Sequence, residues 1–266
     1  MSGTKIDRGQ LDGLGVVITR PLHQANRLAQ LVQMAGGQPL LFPAIEIAPV
    51  DDPEALRVSL DRLADYDLAL FVSANAARLA ASSLPPRFQW PAHLEVVAVG
   101  AATRKALLEL NIPISVIPQD NYNSESLLKL PALRLMTGKR VVIFRGQDGR
   151  ELLAQTLIER GAEVDYVQTY QRRLPQTDSK ILEPVWKNPQ NWVFVVTSNQ
   201  GLENLGKLVT QDHQMDLLKT RLVGVSARML ELAESMGFER PCQIAARASD
   251  DALLEALIEL ANQNWS

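Results

Sequence analysis

The segment GVVITRPLHQANRLAQLVQMAG (15–36) lies without a gap over RVVIFRGQDGRELLAQTLIERG (140–161), 125 positions further on. Val16, Val17, Ile18, Arg20, Leu28, Ala29, Gln30 and Gly36 fall on Val141, Val142, Ile143, Arg145, Leu153, Ala154, Gln155 and Gly161. The register continues. LALFVSANA (68–76) lies over VFVVTSNQG (193–201), and YNSESLL (122–128) over RASDDAL (247–253), with one residue of slippage near Gly100 and Ser226. A constant offset across three segments, with a one-residue slip in a fourth, marks the chain as a tandem duplication.

Working outward, each half reads strand, helix, strand, helix. The apolar, largely β-branched runs are VVIT (16–19), ALFV (69–72), VVAV (96–99), ISVI (114–117), VVIF (141–144), VFVV (193–196), LVGV (222–225) and QIAA (243–246). Helical patterns over 27–35, 101–110, 152–160 and 229–236 separate them. Continuous apolar strands alternating with helices predict parallel sheets covered on both faces. Two extended segments, 38–50 and 162–175, break the alternation at equivalent places in the repeat and read as strands crossing between two similar domains that flank a cleft.

The 266 residues suffice for two domains, and 46% apolar against 21% charged residues allows each a core. A formal net charge of −3 argues against electrostatic nucleic-acid binding, though not against a local cationic pocket. The one cysteine, Cys242, excludes an internal disulfide and fits a reducing compartment. The polar start MSGTKIDRGQLDG lacks the apolar core of a signal peptide, and no run approaches the about 18 apolar residues of a membrane span. A cytoplasmic monomer, without membrane or nucleic-acid partners, is the expectation.

Common catalytic signatures are missing. No GxGxxG follows a strand, and Gly146 and Gly149 lack that spacing. His23, His93 and His213 have no partners at metal spacing, so no metal site is expected. What remains is small polar residues directly after strands: Ser73 and Asn75, the Gly100–Thr103 turn, Thr197, Ser198 and Asn199, and Ser226. Ligands of open α/β sheets bind at the carboxyl ends of strands, where helix N-termini offer N–H groups to anions. The same residues also read as ordinary helix caps, and the two roles can coexist. Acidic neighbours separate the candidates. Glu125 follows Ser124, and Asp250 and Asp251 follow Ser249, so those turns would repel an anion, whereas the turns at Ser73, Thr103 and Ser198 start without acids. Arg20 and Arg145, equivalent in the repeat, suit either a carboxylate ligand or a structural ion pair. Tyr170 stands opposite Ile45, which points either to a role of its own or to packing with a polar tip.

Several of these stretches, taken in order, resemble the uroporphyrinogen-III synthase family: VVITRP (16–21), YDLALFVSANA (66–76), AVGAAT (98–103), RVVIFRGQDGR (140–150), VQTYQRR (167–173), VFVVTSNQG (193–201) and ASDDALLEAL (248–257). The resemblance implies two parallel-sheet, flavodoxin-like α/β domains. A discontinuous one is formed by 14–38 plus 176–266 and a continuous one by 49–163. Segments 39–48 and 164–175 serve as a two-stranded linker. It implies the cyclisation of hydroxymethylbilane to uroporphyrinogen III, with loss of water and inversion of ring D, and no cofactor. Tyr170 then matches the family's tyrosine and assists departure of the hydroxyl. Thr103 matches the threonine of a GxxT turn, and Ser73, Thr197 and Ser198 match hydroxyls that bind substrate carboxylates. There are two departures: Met229 stands opposite Thr103, and Gln171 follows the tyrosine where arginine is common in the family. The competing reading is a non-catalytic, hinged two-domain protein that binds a small polycarboxylate or a tetrapyrrole.

Overall fold

The computed structural model describes residues 7–115, 127–147, 151–239 and 242–263. Its strands are β1 (Gly15–Ile18), β2 (Gln38–Leu41), β3 (Glu46–Pro49), β4 (Leu68–Phe71), β5 (Glu95–Ala98), β6 (Arg140–Gly146), β7 (Glu163–Arg173), β8 (Trp192–Val195), β9 (Arg221–Gly224) and β10 (Cys242–Ile244). The longer helices are α1 (Leu22–Met34), α2 (Pro53–Asp61), α3 (Ala74–Ser82), α4 (Ala101–Glu109), α5 (Leu152–Glu159), α6 (Asn199–Leu208), α7 (Ala227–Ser235) and α8 (Asp250–Asn262). The chain divides into two compact units, Met1–Glu46 with Arg173–Ser266, and Ile47–Arg172.

The first unit is built on a five-stranded sheet of order β10-β9-β8-β1-β2. β1 pairs in parallel with β2 on one side and with β8 on the other, and β9 pairs in parallel with β8 and β10. All four β1 residues are buried, because helices cover both faces. Val16 and Ile18 pack with Leu28 and Val32 of α1 and Leu253 and Leu257 of α8. Val17 faces the other way, with Phe194, Leu205 of α6 and Ala233 of α7.

The second unit carries a sheet of order β3-β7-β6-β4-β5. β4 pairs in parallel with β5 and β6, and β6 with β7. Phe71 of β4 and Phe144 of β6, neighbours on one face, stack with ring centroids 4.5 Å apart and planes 10° from parallel. They pack with Leu60 of α2, Ala77 of α3 and Leu107 of α4. The opposite face holds Leu70, Ile143 and, from α5, Leu153 and Leu157. In both units a strand from one sequence half is thus seated beside a strand from the other half.

The repeat also explains two glycines. Gly36 and Gly161 have φ of +94° and +91° just past α1 and α5, the left-handed conformation that ends a helix at low cost only with glycine.

The segments read from sequence as linker strands are taken up by the sheets. β2 is the edge strand beside β1, β7 runs along β6, and β3 lies at the edge beside β7. Parallel ladders to β1 and β6 pair the inner sides of β2 and β7, so these segments gain backbone hydrogen bonds by joining the sheets. Ser115, in the region read as a strand over 114–117, donates its amide to Val96 O at 2.9 Å, and its Oγ accepts from Val96 N at 3.2 Å. Residues 116–117, and Ser124 with Glu125, lie outside the described residues.

The Phe71–Phe144 stack yields a test of this core. Phe144→Ala removes a fully buried ring, and we expect a loss of ~3–5 kcal/mol in urea unfolding. A loss below ~1 kcal/mol would show that the stack contributes little to the unit's stability.

Candidate functional site

In the second unit the carboxyl ends of β5, β4, β6 and β7 lie in that spatial order and carry the candidate residues. Ser73 is the N-cap of α3, its Oγ accepting from Ala76 N at 3.1 Å. Asn75 sits in the first turn, half-buried. Gly100 is the N-cap of α4 and offers no side chain to the helix N-terminus. Thr103, three residues on, is buried, its Oγ1 3.6 Å from where a Cβ on Gly100 would stand. Neither helix has an acid in its first turn. Both N-termini therefore present N–H groups and positive dipole ends to an anion.

Tyr170 reaches this edge because β7 is irregular. Arg145 is in register with Gln168, but the next residue, Gly146, is in register with Tyr170. Thr169 is the extra residue of a β-bulge. Its buried Oγ1 donates to Arg145 O at 3.0 Å, and Gln147 N donates to Tyr170 O at 3.1 Å. A regular strand would send Val167 and Tyr170 to opposite faces. The bulge puts both into the same core, so Tyr170 packs beside Phe144 rather than pointing away from it. There the ring is 4% exposed, and Ser73 Oγ donates to its Oη at 3.3 Å.

The first unit repeats the pattern at β8 and β9. Ser198 caps α6, accepting from Gly201 N at 3.0 Å, with half-buried Thr197 before it and Asn199 after it. Ser226 caps α7, accepting from Met229 N at 3.3 Å. Ser226 and Gly100 are thus equivalent N-caps, and Met229 and Thr103 are equivalent third residues of their helices. The hydroxyl has moved from the first turn in one unit to the cap in the other, while Met229 is buried in the core. α6 and α7 also lack first-turn acids. By contrast Ser249 caps α8, whose first turn holds Asp250 and Asp251.

The two arginines are each held by a carboxylate of the chain. Arg20 Nη1 lies 2.5 Å from Asp250 Oδ1, and its Nε is buried with no hydrogen-bond partner among the described residues. Arg145 Nη1 lies 2.8 Å from Glu151 Oε1, and its guanidinium sits 4.7 Å over the Tyr166 ring. Glu151 also accepts from Tyr166 Oη. That bond, then Arg145, holds the Glu151 carboxyl below its usual range. Partial desolvation, then Glu151, pushes the Tyr166 phenol up to about 12. A substrate carboxylate that used Arg20 or Arg145 would have to compete with Asp250 or Glu151.

Of the second unit's candidates, direct contact joins Ser73 and Tyr170, and Thr103 stands at the end of the adjacent strand. Two residues were missed from sequence: Thr169, which makes the bulge, and Gly146, on which the Tyr170 ring lies. Neither carries a signal in the sequence, because the burial of Val167 and Tyr170 in one core emerges only when β7 is in register with β6. Burial, then Glu234, pushes the half-buried Cys242 thiol up to about 11, which keeps it protonated and a poor nucleophile. Among the described residues no group of three or more His, Cys, Asp or Glu could hold a metal, and no helix is long and apolar enough to cross a membrane.

Comparison with known proteins agrees with this architecture. Residues 26–255 match the family model described as uroporphyrinogen-III synthase HemD. Uroporphyrinogen-III synthase of Escherichia coli is 35% identical over 246 residues, covering 92% of this chain and all of that one. The Salmonella typhimurium enzyme of the same name is 34% identical with the same coverage. Two solved structures share the fold. The uroporphyrinogen-III synthetase of Helicobacter pylori has a TM-score of 0.57 at 15% identity and covers 93% of this chain and 99% of that one. A mutant uroporphyrinogen III synthase of Thermus thermophilus has a TM-score of 0.54 at 20% identity, covering 94% and 99%. The chain belongs to the uroporphyrinogen-III synthase family.

Proposed function

We infer that this chain cyclises hydroxymethylbilane to uroporphyrinogen III, a lyase reaction of haem biosynthesis, and that its acid-free strand ends hold the substrate. Family membership over residues 26–255 carries the reaction. The site residues rest on the geometry.

The substrate bears eight carboxylates, so it calls for many hydrogen-bond donors spread over a wide surface. The N-termini of α3 and α4 in one unit, and of α6 and α7 in the other, supply N–H groups without competing acids. Asn75, Thr103, Thr197, Ser198, Asn199 and Ser226 are the side chains there that we assign to carboxylate binding, while Ser73 gives its proton to Tyr170 Oη and contributes the acid-free N-terminus of α3. The capping bonds of Ser198 and Ser226 do not prevent this, since a hydroxyl that accepts from an amide still has a proton to donate.

Chemistry begins when the bilane's terminal hydroxyl leaves as water. The resulting azafulvene can close unaided to the wrong isomer. The enzyme's principal task is to fold the chain so that the correct carbon of ring D attacks, which is a problem of proximity and orientation. Tyr170 is assigned to the first step. With Ser73 donating to its oxygen, the phenol's proton is available to the departing hydroxyl. The rearrangement through a spiro intermediate then needs position more than acid or base strength. The mild net negative charge and the single cysteine support a cytoplasmic setting with no nucleic-acid partner.

Incubation with freshly made hydroxymethylbilane, followed by separation of the isomers, is expected to give type III product well above the spontaneous rate. Type I product alone, at the uncatalysed rate, would refute the activity and favour a hinged carboxylate-binding protein. Tyr170→Phe is expected to lower kcat at least about tenfold, equivalent to ~1.4 kcal/mol of barrier. A folded variant with unchanged kcat would reduce Tyr170 to a packing residue.

A further inference from the structure

We propose that Gly146 is a positioning residue for the reaction, the absence of a side chain there fixing where the Tyr170 hydroxyl lies. The inference rests on the assignment of Tyr170 to hydroxyl departure and adds what holds that group in place.

Gly146 ends β6 and is buried. Its φ lies outside the left-handed region adopted by Gly36 and Gly161, so its backbone conformation does not call for glycine. Space does. A Cβ built on Gly146 would stand 2.6 Å from Tyr170 Cζ, 2.8 Å from Cε2 and 3.0 Å from Oη. All three are at the hydroxyl end of the ring. A methyl group at this position would therefore displace the reacting group rather than the root of the side chain. At the repeat-equivalent position the other half has Pro21, in keeping with a demand peculiar to the half that carries the tyrosine.

Three contacts define the ring's seat. The Thr169 bulge turns the side chain onto Gly146, the bare Gly146 backbone sets its height, and Ser73 Oγ meets its oxygen. At 3.3 Å the Ser73 bond is already long, so a shift of a few tenths of an ångström breaks it. Placement errors of this size are costly where catalysis depends on orientation.

The test is a double-mutant cycle of Gly146→Ala with Tyr170→Phe, reading kcat and KM for hydroxymethylbilane, with thermal unfolding as the check on folding. Gly146→Ala is expected to lower kcat at least about tenfold with KM within about twofold, and to change kcat less than about twofold in the Tyr170→Phe background. Equal losses in both backgrounds would mean a general structural effect and overturn the proposal. So would an unchanged kcat in Gly146→Ala while Tyr170→Phe is impaired, a result that leaves the assignment of Tyr170 standing. An unchanged kcat in Tyr170→Phe would remove both. Should Gly146→Ala fail to fold, Thr169→Val and Thr169→Ser probe the same seat from the bulge. Val is expected to lower kcat only when Tyr170 is present, and Ser to retain it. Equal activity of the two would count against the proposal.

Discussion

Val16, Val17 and Ile18 lie in parallel register with Val193, Phe194 and Val195, and Leu68 to Phe71 lie likewise with Val141 to Phe144. These two ladders join strands from opposite halves of a duplicated sequence, and everything else is arranged around them. A parallel pair cannot be closed by a tight turn and requires a long crossover. Here each ladder is formed by a strand that has left its own half. β1, α1 and β2 complete the sheet of the first unit, and β6, α5 and β7 that of the second. Sequence halves and compact units are consequently different partitions of the chain.

That exchange determines what the strand ends can do. β1, β2, β8, β9 and β10 form parallel ladders in one unit, and β4, β5, β6 and β7 in the other. Within each sheet the carboxyl ends of these strands therefore gather on one edge, with the following helices starting there. Which of those starts suit an anion is decided by the first turn. α8 satisfies its own dipole with Asp250 and Asp251, and Asp250 in turn holds Arg20. α3, α4, α6 and α7 leave theirs open. The irregular ladder at Arg145 and Gly146 delivers a tyrosine to a cap hydroxyl, Tyr170 against Ser73. An edge of donors with an aimed phenol suits a reaction governed by how a flexible polyanion is folded.

Much of this was legible in the chain because duplication doubles every signal. The pairing of Ser73 with Ser198, and of Gly36 with Gly161, marks caps and helix ends in the sequence itself, and first-turn acids sort the caps by charge. The roles of Arg20 and Arg145 were not legible. Whether a strand-end arginine meets Asp250, Glu151 or a ligand depends on side chains brought close only by folding. The extended segments around β2, β3 and β7 read correctly as strands, but their neighbours are set by open sheet edges that periodicity cannot reveal. Gly146 and Thr169 escaped for a similar reason. A bulge is a property of two strands in register, and a glycine needed for a neighbour's ring looks like any other glycine.

The central claim, that acid-free helix N-termini at the strand ends hold the substrate's carboxylates, is tested most directly by amide NMR. Labelled protein would be titrated anaerobically with the product, uroporphyrinogen III. The account predicts shifts concentrated at the first-turn amides of α3, α4, α6 and α7 and at Tyr170, with the first turns of α2 and α8 unmoved. Shifts centred on α2 or α8, or spread without regard to the strand ends, would contradict it.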